Sequence, residues 1–194
     1  EVAGQKPKTD VAAATEPVGT PARPGMNPSS TKSAPSDGEE SALGRSRWYE
    51  AARWVVSVGG WVRVDKNGRE FVVKSEADIP AGKFGILTVN IEGNGNPKVA
   101  GMTDDDFTRF SGLKELRTVR FRDIKVGDNA MAFLPTTPAV TYLELANLTL
   151  TDAVLTHIAP LRELTDLTIE SVRPVTGAGL EKLASLPILK KVTF

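Results

Sequence analysis

Three adjacent carboxylates, Asp104, Asp105 and Asp106 in the stretch GMTDDDFTRF, are the first candidates for metal or acid–base chemistry. Consecutive residues on a helix point about 100° apart, so three in a row do not converge on one ion. Asp128 and Asp152 recur at matching places downstream, each directly after a Gly or Thr. Thr and Asp suit a helix N-terminus, where a side-chain oxygen accepts a free amide hydrogen and negative charge is favoured. The expectation is therefore capping, with no metal site. His157 is the only histidine and so the only easy general base near neutral pH. At its offset in neighbouring segments stand Arg109, Phe133 and Lys182, two of them cations, so this column is expected to face water. No Ser, Cys or carboxylate constellation around it is identifiable in the sequence. The segment GNGNP at 93–97 lacks both the Lys-Ser/Thr ending of a phosphate loop and GxGxxG spacing, and reads as an insertion turn. No catalytic, cofactor-binding or metal-ligating residue is expected, and the chain is expected not to be an enzyme.

Composition narrows the partners. Lys plus Arg equals Asp plus Glu at 24 each, which argues against an electrostatic grip on nucleic acid or an anionic membrane. The absence of cysteine excludes disulfides and thiol chemistry and leaves the compartment open, cytoplasmic or tethered at the cell envelope. The longest apolar stretch, 51–64, is broken by Arg53, Ser57, Gly59, Gly60 and Arg63, so no membrane insertion by this segment is expected. The chain opens at Glu1 without a Met or a signal-type leader, which suggests a fragment or processed product of something longer.

The elements that must position any site fall into three stretches. Residues 1–44 hold six of the 13 prolines and no aromatic residue, and read as a disordered Pro/Ala/Ser/Thr-rich linker. Residues 45–83 read as a helix and hairpin cap. Trp48, Ala51, Ala52, Val55 and Val58 recur at helical spacing over about 13 residues, and Gly59-Gly60 supplies the stop. Trp61–Val64 and Phe71–Val73 flank Asn67-Gly68, a favoured two-residue hairpin centre. The tryptophans Trp48, Trp54 and Trp61 could form an aromatic face, although Trp48 fits the buried side of the helix.

Residues 84–194 are periodic. From origins at Thr103, Gly127, Thr151 and Thr176, apolar residues recur four, seven and ten places on, broken only by Thr137. Offset thirteen holds Leu116, Val140, Leu164 and Leu189; offset sixteen, Val119, Leu143, Leu167 and Val192; offset eighteen, Phe121, Leu145, Ile169 and Phe194. The first three offsets share a helical face, whereas sixteen and eighteen share one face of a strand. Each unit is therefore helix then strand, and Ile86, Val89 and Ile91 form an earlier strand of the same type, which makes about five strands. Pro135, Thr137 and Pro138 should leave the second unit's helix short or partly 3₁₀. One such unit cannot bury both its faces, so neighbours must stack and pair their strands in parallel.

The segments LRELTDLTIESV (161–172) and LKELRTVRFRDI (113–124) resemble the LxxLxxLxLxx stretch of leucine-rich repeat proteins. TDAVLTHIAPLRELTDLTIE and TGAGLEKLASLPILKKVTF are similar to the TDAGLxxLxxLxxLxxL repeats of planctomycete-type bacterial proteins, and AARWVVSVGGWVRVD (51–65) resembles a segment that directly precedes the repeats in many of them. The resemblance covers about 45–194. It implies an α/β fold, a short solenoid with parallel strands on its concave face and helices on its convex face, capped at the N-terminus. It also implies that such repeats can be an accessory or regulatory domain of a larger enzyme, for instance a bacterial serine/threonine kinase. The family's usual Asn is replaced by Ile124, Leu148 and Val172, and only Asn94 fits that place, so a drier, apolar turn is expected.

Alternation then gives the outward set of the strands: Thr88, Asn90, Glu92, Thr118, Arg120, Arg122, Tyr142, Glu144, Ala146, Asp166, Thr168, Glu170, Lys191 and Thr193. Arg122 is expected beside Glu92, and Arg120 beside Glu144. The concave face is the expected contact surface for a protein partner, through Arg120, Arg122, Tyr142, Glu144, Asp166, Thr168 and Glu170. Self-association through the last strand's edge is the other contact to consider.

Overall fold

A computed structural model describes residues 46–171 and 176–193. The linker expected at 1–44, the repeat position at Val172 and the last inward residue, Phe194, lie outside these.

The first helix, α1, runs over Arg47–Ser57, shorter than expected by a fraction of a turn at each end. Ser46 caps it, its hydroxyl accepting from the Tyr49 amide at 3.4 Å. Ala51, Ala52 and Val55, at the spacing of one helix face, are fully buried. Its stop is the glycine type: Gly59 has φ +83°, its amide reaches Val56 O at 3.1 Å, and the Gly60 amide reaches back to Val55 O at 2.9 Å.

Strands β1 (Trp61–Lys66) and β2 (Arg69–Val73) form the expected hairpin. Asn67 and Gly68 both have positive φ, +58° and +78°, as the turn favoured by twisted strands requires. Five further strands follow: β3 (Gly85–Glu92), β4 (Thr118–Arg122), β5 (Tyr142–Leu148), β6 (Asp166–Ser171) and β7 (Lys191–Thr193). All seven lie in one sheet, ordered β2-β1-β3-β4-β5-β6-β7. The hairpin joins antiparallel to β3, and every pair from β3 to β7 is parallel. The protein is thus α/β, a seven-stranded, mostly parallel sheet with few helices.

Register follows the repeat count. Val89, Val119, Leu143, Leu167 and Val192 stand side by side across β3 to β7. The row two residues on is Ile91, Phe121, Leu145 and Ile169. These residues back onto the core, with Val119, Leu143, Leu145 and Phe121 fully buried. Thr137, the one break in the apolar columns, keeps its place: it too is fully buried, and its hydroxyl donates to Leu134 O at 2.8 Å. A buried hydroxyl with a partner carries little desolvation penalty.

The second unit's segments are 3₁₀, as Pro135, Thr137 and Pro138 lead one to expect, whereas the other connecting segments depart from expectation. Most of the segments are 3₁₀ turns: Asp104–Phe110, Asp128–Met131, Leu134–Thr136 and Glu181–Ser185. Only α2 (Val154–Ile158) and α3 (Gly177–Leu180) are α-helical, and both are short. The recurrence at four, seven and ten is compatible with both forms, since segments this short keep such residues on one face either way. Splitting of the second unit's turn around Phe133 and Leu134 explains why Phe133 does not face water with the rest of its column. It is buried against Phe110 and Phe121, ring centroids 5.4 and 6.4 Å apart.

Candidate functional site

One face of the sheet is taken by the core; the other carries the alternate residues. Two rows cross it. Trp61, Asn90, Arg120, Glu144, Thr168 and Thr193 are neighbours from β1 to β7. Arg63, Thr88, Thr118, Tyr142, Asp166 and Lys191 form the next. A third, shorter row runs Glu92, Arg122, Ala146, Glu170. Every sequence-chosen contact residue therefore lies on this open face, in the register that counting from the repeat origins assigns.

Arg120, Arg122, Tyr142 and Glu144 are brought into one cluster. Glu144 is only 3 % exposed although it stands on the open face. The Arg122 Nη2 meets Glu144 Oε1 as an ion pair, and Arg120 Nε lies 3.5 Å from Glu144 Oε2 without hydrogen-bond geometry. The Tyr142 hydroxyl donates to Glu144 Oε2 at 3.0 Å, and the Arg120 guanidinium lies 4.9 Å from the Tyr142 ring centre. Donation to the Glu144 carboxylate, then the attraction of its charge, raises the Arg122 pKa above its ordinary value. Burial, then the bond to Glu144, raises that of the Tyr142 hydroxyl.

The remaining chosen residues are placed but not drawn in. Asp166 accepts from its own neighbour, the Thr165 hydroxyl, at 2.7 Å. Thr168 and Glu170 sit beside Glu144 and Ala146 on β6 and make no ion pair among the described residues. The expected Arg120–Glu144 neighbours do pair. Arg122, although level with Glu92, turns diagonally to Glu144, while Glu92 Oε1 accepts from Asn90 Nδ2 at 3.3 Å. Alternation in the cap hairpin extends the same face to Trp61, Arg63 and Val72, of which the sequence singles out only Trp61, as part of an aromatic face. Their signal was the inward pair Val62 and Val64, both fully buried, which forces the residues between and beside them outward.

The acidic cluster is structural, but not through capping alone. Asp106 closes its own turn, taking the Thr103 amide at 2.9 Å and the Thr103 hydroxyl at 3.1 Å. Asp104 instead reaches the next unit, where its Oδ1 accepts from the Gly127 amide at 2.8 Å. Asp128 repeats this with the Thr151 amide at 2.9 Å and hydroxyl at 2.6 Å, and Asp152 with the amide, at 2.7 Å, and hydroxyl of Thr176. The Thr176 hydroxyl, then its amide, holds the Asp152 carboxyl below the usual carboxylate range. Among the described residues no group of three or more His, Cys, Asp or Glu could hold a metal ion.

His157 is half-buried at the end of α2. Trp54 packs edge-on against Phe107 and Phe110, with Arg109 4.3 Å from its ring centre, so it belongs to the core rather than to a binding face. Burial lowers the Arg109 pKa. A cleft of about 260 Å³ beside it is lined by Glu50, Arg53, Trp54, Ser57, Glu76 and Arg109. Its charges answer one another within the fold: Arg53 meets Glu76 at 2.8 Å, and Arg109 meets Asp106 at 3.0 Å. GNGNP forms the expected turn, and the Asn96 side chain ties it to the cap by donating to Val58 O at 2.7 Å. Asn94 is exposed in that turn, while Ile124 and Leu148 are buried.

No protein-family model matches the chain, and no curated protein matches it. Among the described residues no helix is long and apolar enough to cross a membrane.

Proposed function

We propose that this chain is a non-catalytic protein-interaction module, a short leucine-rich repeat solenoid of the planctomycete bacterial type that binds a protein partner on its concave face. The unbroken inward row from Val89 to Val192, with origins 24 or 25 residues apart, supports the repeat reading. The observation that carries the binding reading is the joined cluster of Arg120, Arg122, Tyr142 and Glu144 in the middle of the open face. Arg and Tyr are the residue types that most often anchor protein interfaces, because each offers large contact area and a directed polar group.

Affinity capture from native lysate, using the full chain as bait and mass spectrometry as readout, tests this. Proteins recovered by the wild type and by Glu163→Ala, an exposed change among the connecting segments, should be lost with Arg122→Ala and Tyr142→Ala. Equal recovery with all four baits contradicts the assignment of this face. Self-association belongs to the same proposal at the β7 edge, where Ile188 and Val192 are each 40 % exposed. Sedimentation of wild type against Val192→Lys reads it: a concentration-dependent dimer lost in the variant supports it, and identical profiles remove it.

A further inference from the structure

Glu144 raises a question of its own. Its neighbour in the row, Thr168, shows that a small neutral side chain is compatible with this sheet surface. Glu144 nevertheless sits 3 % exposed beneath two arginines. Taking a carboxylate out of water is expensive, and its ion pairs repay little more than that penalty, so net stability does not account for it. What it changes is the arginines. Each long guanidinium side chain loses rotamer freedom when it binds, and that loss weakens binding. Here Glu144 pairs with Arg122 in advance, while Arg120, 3.5 Å from Glu144, is steadied by the Tyr142 ring beneath it, and Tyr142 itself bonds Glu144. Neither arginine is consumed: their side chains remain 42 % and 51 % exposed.

We propose that Glu144 is a positioning residue that presents Arg120 and Arg122 as a fixed two-guanidinium seat for a carboxylate side chain of the partner protein. This rests on the reading of the open face as a protein-binding surface and gives that surface its chemistry. Glu144 offsets one of the two guanidinium charges and leaves one local positive charge at the seat, which Glu92, level with Arg122, and Glu170, two strands away, weaken further. That field suits a singly charged carboxylate and opposes a phosphate dianion, although the arginine fork fits the geometry of both.

The third row supplies a direction. Arg122 and Glu170 stand on either side of Ala146, whose short side chain is 3 % exposed and forms a low floor between them. Two strand spacings separate them, about 10 Å. A partner segment crossing the strands meets a cationic site and then an anionic one, and so carries an acidic side chain with a basic one about 10 Å further on.

Selection from a randomised peptide display library on the immobilised full chain tests the seat without knowledge of the natural partner. Enriched peptides are resynthesised and their affinities measured by fluorescence anisotropy. They should contain an Asp or Glu whose replacement by Ala weakens binding about tenfold, and Arg122→Ala should weaken the parent peptide to the same degree. Glu144→Gln should weaken it by about threefold to tenfold while circular dichroism and the thermal midpoint stay close to wild type, an effect a merely structural residue would not show. Arg122→Lys, at an exposed position, serves if Glu144→Gln fails to fold, and should lose affinity because a point charge cannot replace the fork. Peptides that bind through Arg122 but carry no essential acid overturn the carboxylate seat and leave the face standing. Tighter binding when the acid is replaced by phosphoserine also overturns it. Peptides indifferent to Arg122 and Tyr142, or an empty selection, overturn the reading of the face itself.

Discussion

Two rows of side chains, one residue apart on the same strands, behave as different materials. Val89, Val119, Leu143, Leu167 and Val192 face the core, and the first four are at most 1 % exposed. Asn90, Arg120, Glu144, Thr168 and Thr193 face the other way and mix charge, hydroxyl and amide. The first row is interchangeable chemistry: any apolar residue of suitable volume serves, and its energy comes from area removed from water. The second is specific chemistry, in which Glu144 matters because of where its two oxygens lie. The difference separates what holds the sheet together from what it presents.

The contrast breaks most readily in the core row. Leu143→Ala, at a fully buried position between two strands, should cost about 2–5 kcal/mol in urea denaturation through the cavity it leaves. A cost comparable to that of surface changes would mean that the row is not the support. On the open face the expected effects are smaller and asymmetric. Removing both guanidinium groups with Arg120→Gln and Arg122→Gln leaves a buried carboxylate with the Tyr142 hydroxyl still bonded to it, and should cost about 1–3 kcal/mol. Glu144→Gln leaves two half-exposed arginines that water can solvate, and should cost about 1 kcal/mol or less. Equal losses would remove the distinction between burying and presenting charge.

The aspartates between units give a pH signature rather than a size. The Thr176 hydroxyl and amide keep the Asp152 carboxyl below its ordinary range. Stability from that bond is fully present above the unfolded carboxylate pKa and is lost as pH falls through the lowered folded value. The stability gap between wild type and Asp152→Ala should therefore be constant near neutrality and close in acid; a gap that persists in acid would assign it to packing. The smallest effect belongs to the far end of the core row. Val192, 40 % exposed on β7, should tolerate replacement by Ala within about 1 kcal/mol, against the much larger loss at Leu143.

How far these rows could be read in advance differs for the same reason. Counting from Thr103, Gly127, Thr151 and Thr176 put Leu143 beside Val119 and Arg120 beside Glu144, because period and alternation are properties of the chain itself. The step of three in the connecting segments puts their apolar residues on one face but does not distinguish a short α-helix from a 3₁₀ turn. Arg122 turning from Glu92 to Glu144 was not legible. Its neighbour on β5 is Ala146, so its partner is decided diagonally, by rotamers and by Asn90 engaging Glu92. Asp104 reaching Gly127 depends likewise on the offset between stacked units, which no single repeat encodes. The periodic count does not reach the hairpin, so it places neither Arg63 nor Trp61 on the same face as Arg120, although Trp61 is a candidate for an aromatic face on residue type alone.

The central claim is that the arginine–Glu144 cluster is a presented surface and not a structural staple. A double-mutant cycle on Arg122→Gln and Glu144→Gln, read by urea denaturation, measures it most directly. The account predicts a coupling of no more than about 1 kcal/mol, the size of a half-exposed ion pair. A coupling of about 3 kcal/mol or more would make the cluster part of what holds the sheet together, and would contradict it.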